Sequence, residues 1–316
     1  MKKILSFSMI FVLMTMCGCT AQENTDTRFL LDTVVTLTAN CDDDILEEAF
    51  SLCGDFEKLL SRTVEGSDVS KLNSSNEFIK VSPHTEKIIE RSLYYSEKTQ
   101  GKFDITVCAV SKLWNFKEEI VPDKKEISEA LKNVDYESIE ISDSHINLKG
   151  REIDLGAIAK GYIADEITEY FKEKGVKSGI VNLGGNISVF GREYTVGIQS
   201  PLDEDKISAK IKLKDKSAVT SGIYQRSFTQ KGEFYHHIID TSTGFPVNNT
   251  LASVTIIGKS SMDCDALSTC CMLLGLQEGL SLIDEMQGYE AVFIEKDGKI
   301  SLSKGIYMEN NEILFK

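Results

Sequence analysis

The run Asp154–Asp165, DLGAIAKGYIAD, puts a carboxylate, a sharp glycine, a lysine and a helix start within a few residues. A helix beginning near Ala157 aims free backbone amides outward, and Lys160 adds a cation that can reach a phosphate. The run is not a Walker A loop, because Tyr162 stands after Gly161 where that loop needs lysine. Taken alone it is better read as an Asp154 helix cap beside a solvated Lys160.

Three later segments add chemistry of matching kinds. VNLGGN, Val181–Asn186, sets two glycines between strand-like runs, as a tight hairpin turn or as a backbone that a ligand approaches closely. YHHIIDTSTGFP, Tyr235–Pro246, has His236 and His237 facing opposite ways if extended, so that only one can line a site. A histidine near its free pKa of about 6.5 accepts a hydroxyl proton at neutral pH; the plainer alternative is a hydrogen-bonded histidine beside a turn. DALST, Asp265–Thr269, brings a carboxylate and a hydroxyl to one helix face at i and i+4. That pair suits a hard cation such as Mg²⁺ or, more plainly, a helix N-terminus that welcomes negative charge. Together these segments offer amide donors, a cation and oxygen ligands, the needs of a bound pyrophosphate and its metal, and so point to phosphoryl chemistry on a nucleotide.

The elements that must position these residues alternate between strand and helix. Phe29–Ala39 reads as a first strand, and Asp42–Asp44 lead a helix with apolar residues from Ile45 to Leu60. A second helix is expected over His84–Gln100, with Trp114 as a packing anchor beyond it. Strands at Ser138–Ile141 and His145–Leu148 form a hairpin, and an amphipathic helix runs from Ala157 to just before Gly175. Strands are then expected at Gly179–Asn182, Ile187–Phe190, Tyr194–Ile198, Lys206–Leu213, Ser217–Thr220 and Ser253–Ile257, followed by two helices and terminal strands. The expected fold is mixed α/β (α+β), a single unit with two lobes spanning residues 29–316.

Composition narrows the function. Of 316 residues, 49 are acidic and 35 basic, a net charge of −14 that disfavours nucleic acid as a partner. Lys2 and Lys3 precede an apolar run, Ile4–Met16, too short to span a membrane but suited to a signal peptide over residues 1–18. Met16-Cys17-Gly18-Cys19 resembles a lipobox, which makes Cys19 the expected lipidation site and residues 19–28 a polar tether. The eight cysteines show no C-x-x-C spacing, so mostly free thiols are expected rather than a zinc site.

In order and spacing, the set resembles the ApbE family, the FAD:protein FMN transferases. It comprises LLDTVV (Leu31–Val35), SRTVEGSDVSKLN (Ser61–Asn73), GKFDITV (Gly101–Val107), DLGAIAKGYIAD, VNLGGNI, GIQSP, TSGIY, HIIDTSTGFPV and DALST. The resemblance implies transfer of FMN from FAD to a threonine or serine hydroxyl of another protein, with Mg²⁺ bound and AMP released. It implies metal ligands at Asp265 and Thr269, a backbone oxygen from Ala157 and a possible contribution from Ser268. It implies FAD contacts at Leu31, Thr63, Lys102, Phe103, Asp104, Asp154, Lys160 and Ile238, with His237 as general base and Lys160 and Asp154 as further catalytic residues. Two departures stand out: Thr241-Ser242 replaces Pro-Arg, and Leu31-Asp32-Thr33 replaces Met-Gly-Thr. Implied partners are FMN-bearing subunits of membrane electron-transport complexes or exported flavoproteins, met on the outer face of the cytoplasmic membrane or in the periplasm. The competing readings are an FAD pyrophosphatase using the same site and a flavin-binding lipoprotein that only carries FAD.

Overall fold

The computed structural model describes residues 23–316. The signal peptide, Cys19 and the start of the tether lie outside the described residues. The spine of the fold is an eight-stranded sheet in which every neighbouring pair is antiparallel. In spatial order its strands are Asn24–Leu30, Thr33–Ala39, Gly179–Leu183, Asn186–Phe190, Lys216–Gly222, Leu251–Gly258, Glu290–Glu295 and Ile300–Leu302.

Two expectations change here. Phe29–Ala39 is not one strand: Leu31 and Asp32 both take φ of 55° and reverse the chain between two paired strands. Residues 24–28, expected in the tether, belong to the first of these strands and pair with Thr33–Ala39.

Helices cover one face of the sheet. Asp43–Leu60, Pro83–Lys98, Ala159–Glu173, Ser261–Leu274 and Leu276–Glu285 bury their apolar stripes against Val35, Leu37, Val181, Leu183, Val219, Val254, Ile256 and Phe293. The opposite face packs on a four-stranded sheet, in which Val196, Ile198, Ile211 and Ile313 meet Ile180, Ile187, Val189, Ile257 and Val292. Because both faces are covered, every residue of the central strand Leu251–Gly258 is buried. Its apolar residues therefore run on without the alternation of a half-exposed strand. A smaller cluster is built on Trp114, whose indole N–H donates to the Gly244 carbonyl at 3.1 Å and whose ring stacks on Phe116. The expected packing role of Trp114 is thus what the structure shows.

The hairpin Glu140–Ser142/His145–Asn147 forms as expected. The six described cysteines are all free. No helix among the described residues is long and apolar enough to cross a membrane.

Candidate active site

Two antiparallel helices frame the site by capping each other. The first turn of the Ala159–Glu173 helix has orphan amides that its own N-cap, Ile158, has no polar side chain to satisfy. The Gly161 N–H is satisfied instead by Asp265 Oδ2 of the Ser261–Leu274 helix, at 2.9 Å. In return, Asp165 accepts the N–H groups of Ser261 and Met262 at 2.8 and 3.0 Å, and the Ser260 hydroxyl at 3.1 Å. This contact requires a glycine: a β-carbon at position 161 would lie 2.2 Å from the Ser261 carbonyl oxygen. Burial pushes the Asp165 carboxyl up to about 6, only partly opposed by its three donors.

Neither plain cap reading holds. Asp154 does not cap the helix; it accepts the Gly156 N–H and the Arg62 Nε–H, both at 2.8 Å. Asp265 caps the neighbouring helix rather than its own, whose cap is Ser260 through the Asp263 N–H.

Asp265 is 4% exposed, and its Oδ1 has no hydrogen bond among the described residues. One turn on, the half-buried Thr269 hydroxyl lies 3.3 Å from Ser221 Oγ. Ser221 also meets Ser268 Oγ at 2.6 Å, and Ser268 donates back to the Asp265 carbonyl at 2.8 Å, so the Ser268 hydroxyl is enclosed. Ala157 stands four residues before Gly161. Because the Gly161 amide turns to Asp265, the Ala157 carbonyl accepts no backbone hydrogen bond among the described residues.

The two histidines separate cleanly. His236 uses both nitrogens: Nε2–H donates to the Val247 carbonyl at 3.1 Å, and Nδ1 accepts the Ile238 N–H at 3.4 Å. Burial lowers it to about 4, so it is a neutral structural residue. His237 is a half-buried residue whose Nδ1 is shut from solvent and has no partner among the described residues. Burial, then the charges of Arg226 and Lys160, lower His237 to about 3. Lys160 itself reaches back to the Gly156 carbonyl at 3.3 Å.

The remaining sequence-derived positions have the following local settings. Leu31 occupies the hairpin turn, and its neighbour Thr33 packs on Gly184 of the VNLGGN turn, where a β-carbon would lie 2.0 Å from Thr33 Oγ1. Thr63 Oγ1 pairs with Ser61 Oγ at 3.0 Å. Lys102 is exposed, while Phe103 and Ile238 are buried. The buried Asp104 carboxylate accepts the Thr106 N–H and hydroxyl, each at 2.7 Å, and the Tyr136 N–H at 3.1 Å. Burial raises its pKa despite these donors. Among the described residues there is no group of three or more His, Cys, Asp or Glu side chains able to hold a metal. A hard-cation site here draws on one carboxylate, a hydroxyl and a carbonyl.

A family model described as the ApbE family matches residues 31–293. The chain belongs to the ApbE family. An FAD:protein FMN transferase of Treponema pallidum is 35% identical over 288 residues, covering 83% of this chain and 80% of that protein. One from Klebsiella pneumoniae is 31% identical over 271 residues, covering 83% and 85%. The crystal structure of the ApbE protein of Thermotoga maritima aligns with a TM-score of 0.83 at 30% identity, over 90% of this chain and 97% of that one. The flavin transferase ApbE from Vibrio cholerae aligns at 0.81 and 25% identity, over 90% and 98%. The mixed α/β architecture described above is therefore the ApbE fold.

Four residues that the motifs did not single out contact the candidate residues or their neighbours: Arg62, Asp165, Ser221 and Arg226. Arg62, Asp165 and Ser221 lie in segments quoted for their motifs and Arg226 lies just beyond TSGIY, but a role for each needs a partner distant in sequence. The Thr241-Ser242 departure has a local account. Thr241 Oγ1 donates to the Gly101 carbonyl at 2.8 Å, and Ser242 N–H and Oγ–H both bond Asp240 Oδ1.

Proposed function

We propose that this chain is an FAD:protein FMN transferase that moves FMN from FAD to a serine or threonine hydroxyl of another protein and releases AMP. The observation that carries the reading is one hydrogen-bond exchange. By giving its N–H to Asp265, Gly161 frees the Ala157 carbonyl, and the other Asp265 oxygen has no hydrogen bond among the described residues. Lys160, the next residue back, is close enough to His237 to depress its basicity.

The donors fit Mg²⁺. A buried carboxylate with no Lys or Arg partner among the described residues, a threonine hydroxyl and a peptide oxygen are hard ligands for a hard ion. Asp265, Thr269 and the Ala157 carbonyl would hold it, with Ser268 keeping Ser221 and the helix turn in place. When bound, the ion withdraws charge from the diphosphate oxygens as the bond to AMP stretches.

The protein's own groups do the rest. Lys160 receives the diphosphate and stabilises oxygens that gain charge, because the first-turn amides of Ala159, Gly161 and Tyr162 are already bonded within the protein. His237 is neutral across the physiological range, so its ring is in the form that takes the proton of the incoming hydroxyl. The hydroxyl oxygen attacks the phosphorus on the FMN side, and AMP leaves with the electron pair of the broken P–O bond. A diphosphate opposes the fields of Lys160 and Arg226 and so raises the basicity of His237 as substrate arrives. Leu31, Thr63, Lys102, Phe103, Asp104, Asp154 and Ile238 form the flavin-nucleotide walls in this reading.

Export, a lipid anchor on Cys19 and acceptors among membrane electron-transport subunits or exported flavoproteins belong to the same proposal, supported by the N-terminal sequence and the family resemblance. The test mixes the chain with FAD, Mg²⁺ and a candidate acceptor. A mass gain of one FMN on a hydroxyl residue, with stoichiometric AMP, supports transfer. FMN released free at the same rate with and without acceptor would replace it by hydrolysis.

A further inference from the structure

An ion pair joins the hairpin turn to Arg226, the residue just before the Ser227–Gln230 strand. Arg226 Nη2 donates to Asp32 Oδ2 at 2.6 Å, with the two side chains 56% and 75% exposed. Asp32 has φ of 55°, a left-handed conformation that glycine takes freely and aspartate tolerates. An aspartate at this turn therefore contributes something besides the turn: a carboxylate facing Arg226. The Arg226 carbonyl accepts the His237 N–H at 3.1 Å, so the guanidinium is rooted beside the proposed base. The neighbouring turn at Gly184–Gly185 packs against Thr33 and lies beside Gln225, which puts the pair across adjoining rims of the site.

We propose that Asp32 is a built-in counter-ion that masks Arg226 in the ligand-free chain and yields it to the phosphates of the flavin nucleotide. Asp32 thereby sets affinity for FAD rather than the rate of transfer. The inference rests on the reading above, in which the FAD diphosphate lies at Lys160. An exposed carboxylate–arginine pair is weak and screened by salt. A phosphate offers the same guanidinium a charge-assisted, two-pronged partner, so exchange favours the nucleotide.

Flavin-fluorescence titration of the full chain with FAD and with riboflavin, which has no phosphate, tests this without turnover. Asp32→Asn preserves the left-handed turn, since asparagine also visits that region. It should bind FAD about threefold to fivefold tighter at low salt, the scale of an exposed ion pair. Riboflavin binding should not change, and the gain should vanish in about 0.5 M salt and in an Arg226→Gln background. Unchanged or weaker FAD binding by Asp32→Asn, or an equal change for riboflavin, overturns the proposal. Failure of the unaltered chain to bind FAD at all would instead sink the transferase reading, and this inference with it.

Discussion

Gly161 donates its backbone N–H to Asp265 Oδ2 at 2.9 Å, across 104 residues of sequence. That bond caps one helix with a side chain of another and leaves the Ala157 carbonyl, two residues before the helix, without a backbone partner among the described residues. It also sets how closely the two helices approach, because no side chain fits between Gly161 and Ser261.

Gly161→Ala tests the spacing. Its methyl group would meet the Ser261 backbone at 2.2 Å and Asp265 Cβ at 2.7 Å. Overpacking of this kind costs about 1–3 kcal/mol. A lowered Tm together with lost Mg²⁺-dependent transfer is expected; a Tm equal to that of the unaltered chain would contradict the close packing.

Asp265→Asn separates the cap from the charge. The asparagine oxygen still accepts the Gly161 N–H, so Tm should change little. Metal-dependent transfer should fall by at least the roughly 10–100-fold typical of losing even an outer partner of a metal. Normal turnover in Mg²⁺ would remove Asp265 from the metal site.

His237→Gln removes the proposed base while keeping a polar side chain. The variant should bind FAD with near-wild-type affinity but lose transfer by about 10²–10⁴-fold, the usual contribution of general base catalysis. Transfer that persists with only a raised KM would show that His237 binds rather than takes a proton.

His236 predicts an acid limb in stability. Its folded pKa of about 4 lies below the ordinary 6.5, so the unfolded chain binds more protons between those values. Its contribution is therefore complete above pH 6.5 and lost as pH falls towards 4, on the order of 3 kcal/mol. His237 adds in the same direction. Asp165, raised to about 6, opposes: its contribution is present at low pH and lost as pH rises through 6. Denaturant titrations at several pH values should show a shallower acid limb in His236→Gln; an identical slope would exclude His236 as a source.

Thr241→Val deletes the hydroxyl that holds the Gly101 carbonyl at 2.8 Å. A loss of about 1 kcal/mol is expected for one such bond. The rise in KM for FAD should exceed any fall in kcat, because the Lys102–Asp104 wall loosens; an unchanged KM would confine Thr241 to a structural tie.

Much of the scaffold was legible in the sequence because helical spacing and acidic first turns are local signals. The Asp43–Leu60 and Pro83–Lys98 helices follow from such patterns, and so does the hairpin before Asp154. The turn at Leu31–Asp32 was not legible: no glycine or Asn-Gly pair marks it, and the apolar, β-branched residues on either side read as one strand. The strand expected over Ser253–Ile257 is present as Leu251–Gly258, but its burial on both faces is decided by the layers around it.

The sequence by itself determined the types and order of the chemical groups: Lys160, His237, the Asp265/Thr269 pair and the glycines that let backbones approach. Only the tertiary structure decided which carboxylate caps which helix, which histidine keeps an unpartnered nitrogen, and that Asp32 meets Arg226. Those outcomes depend on hydrogen bonds and ion pairs between segments far apart in the chain. Such contacts are set by how the layers pack and leave no periodic trace in the residues that make them.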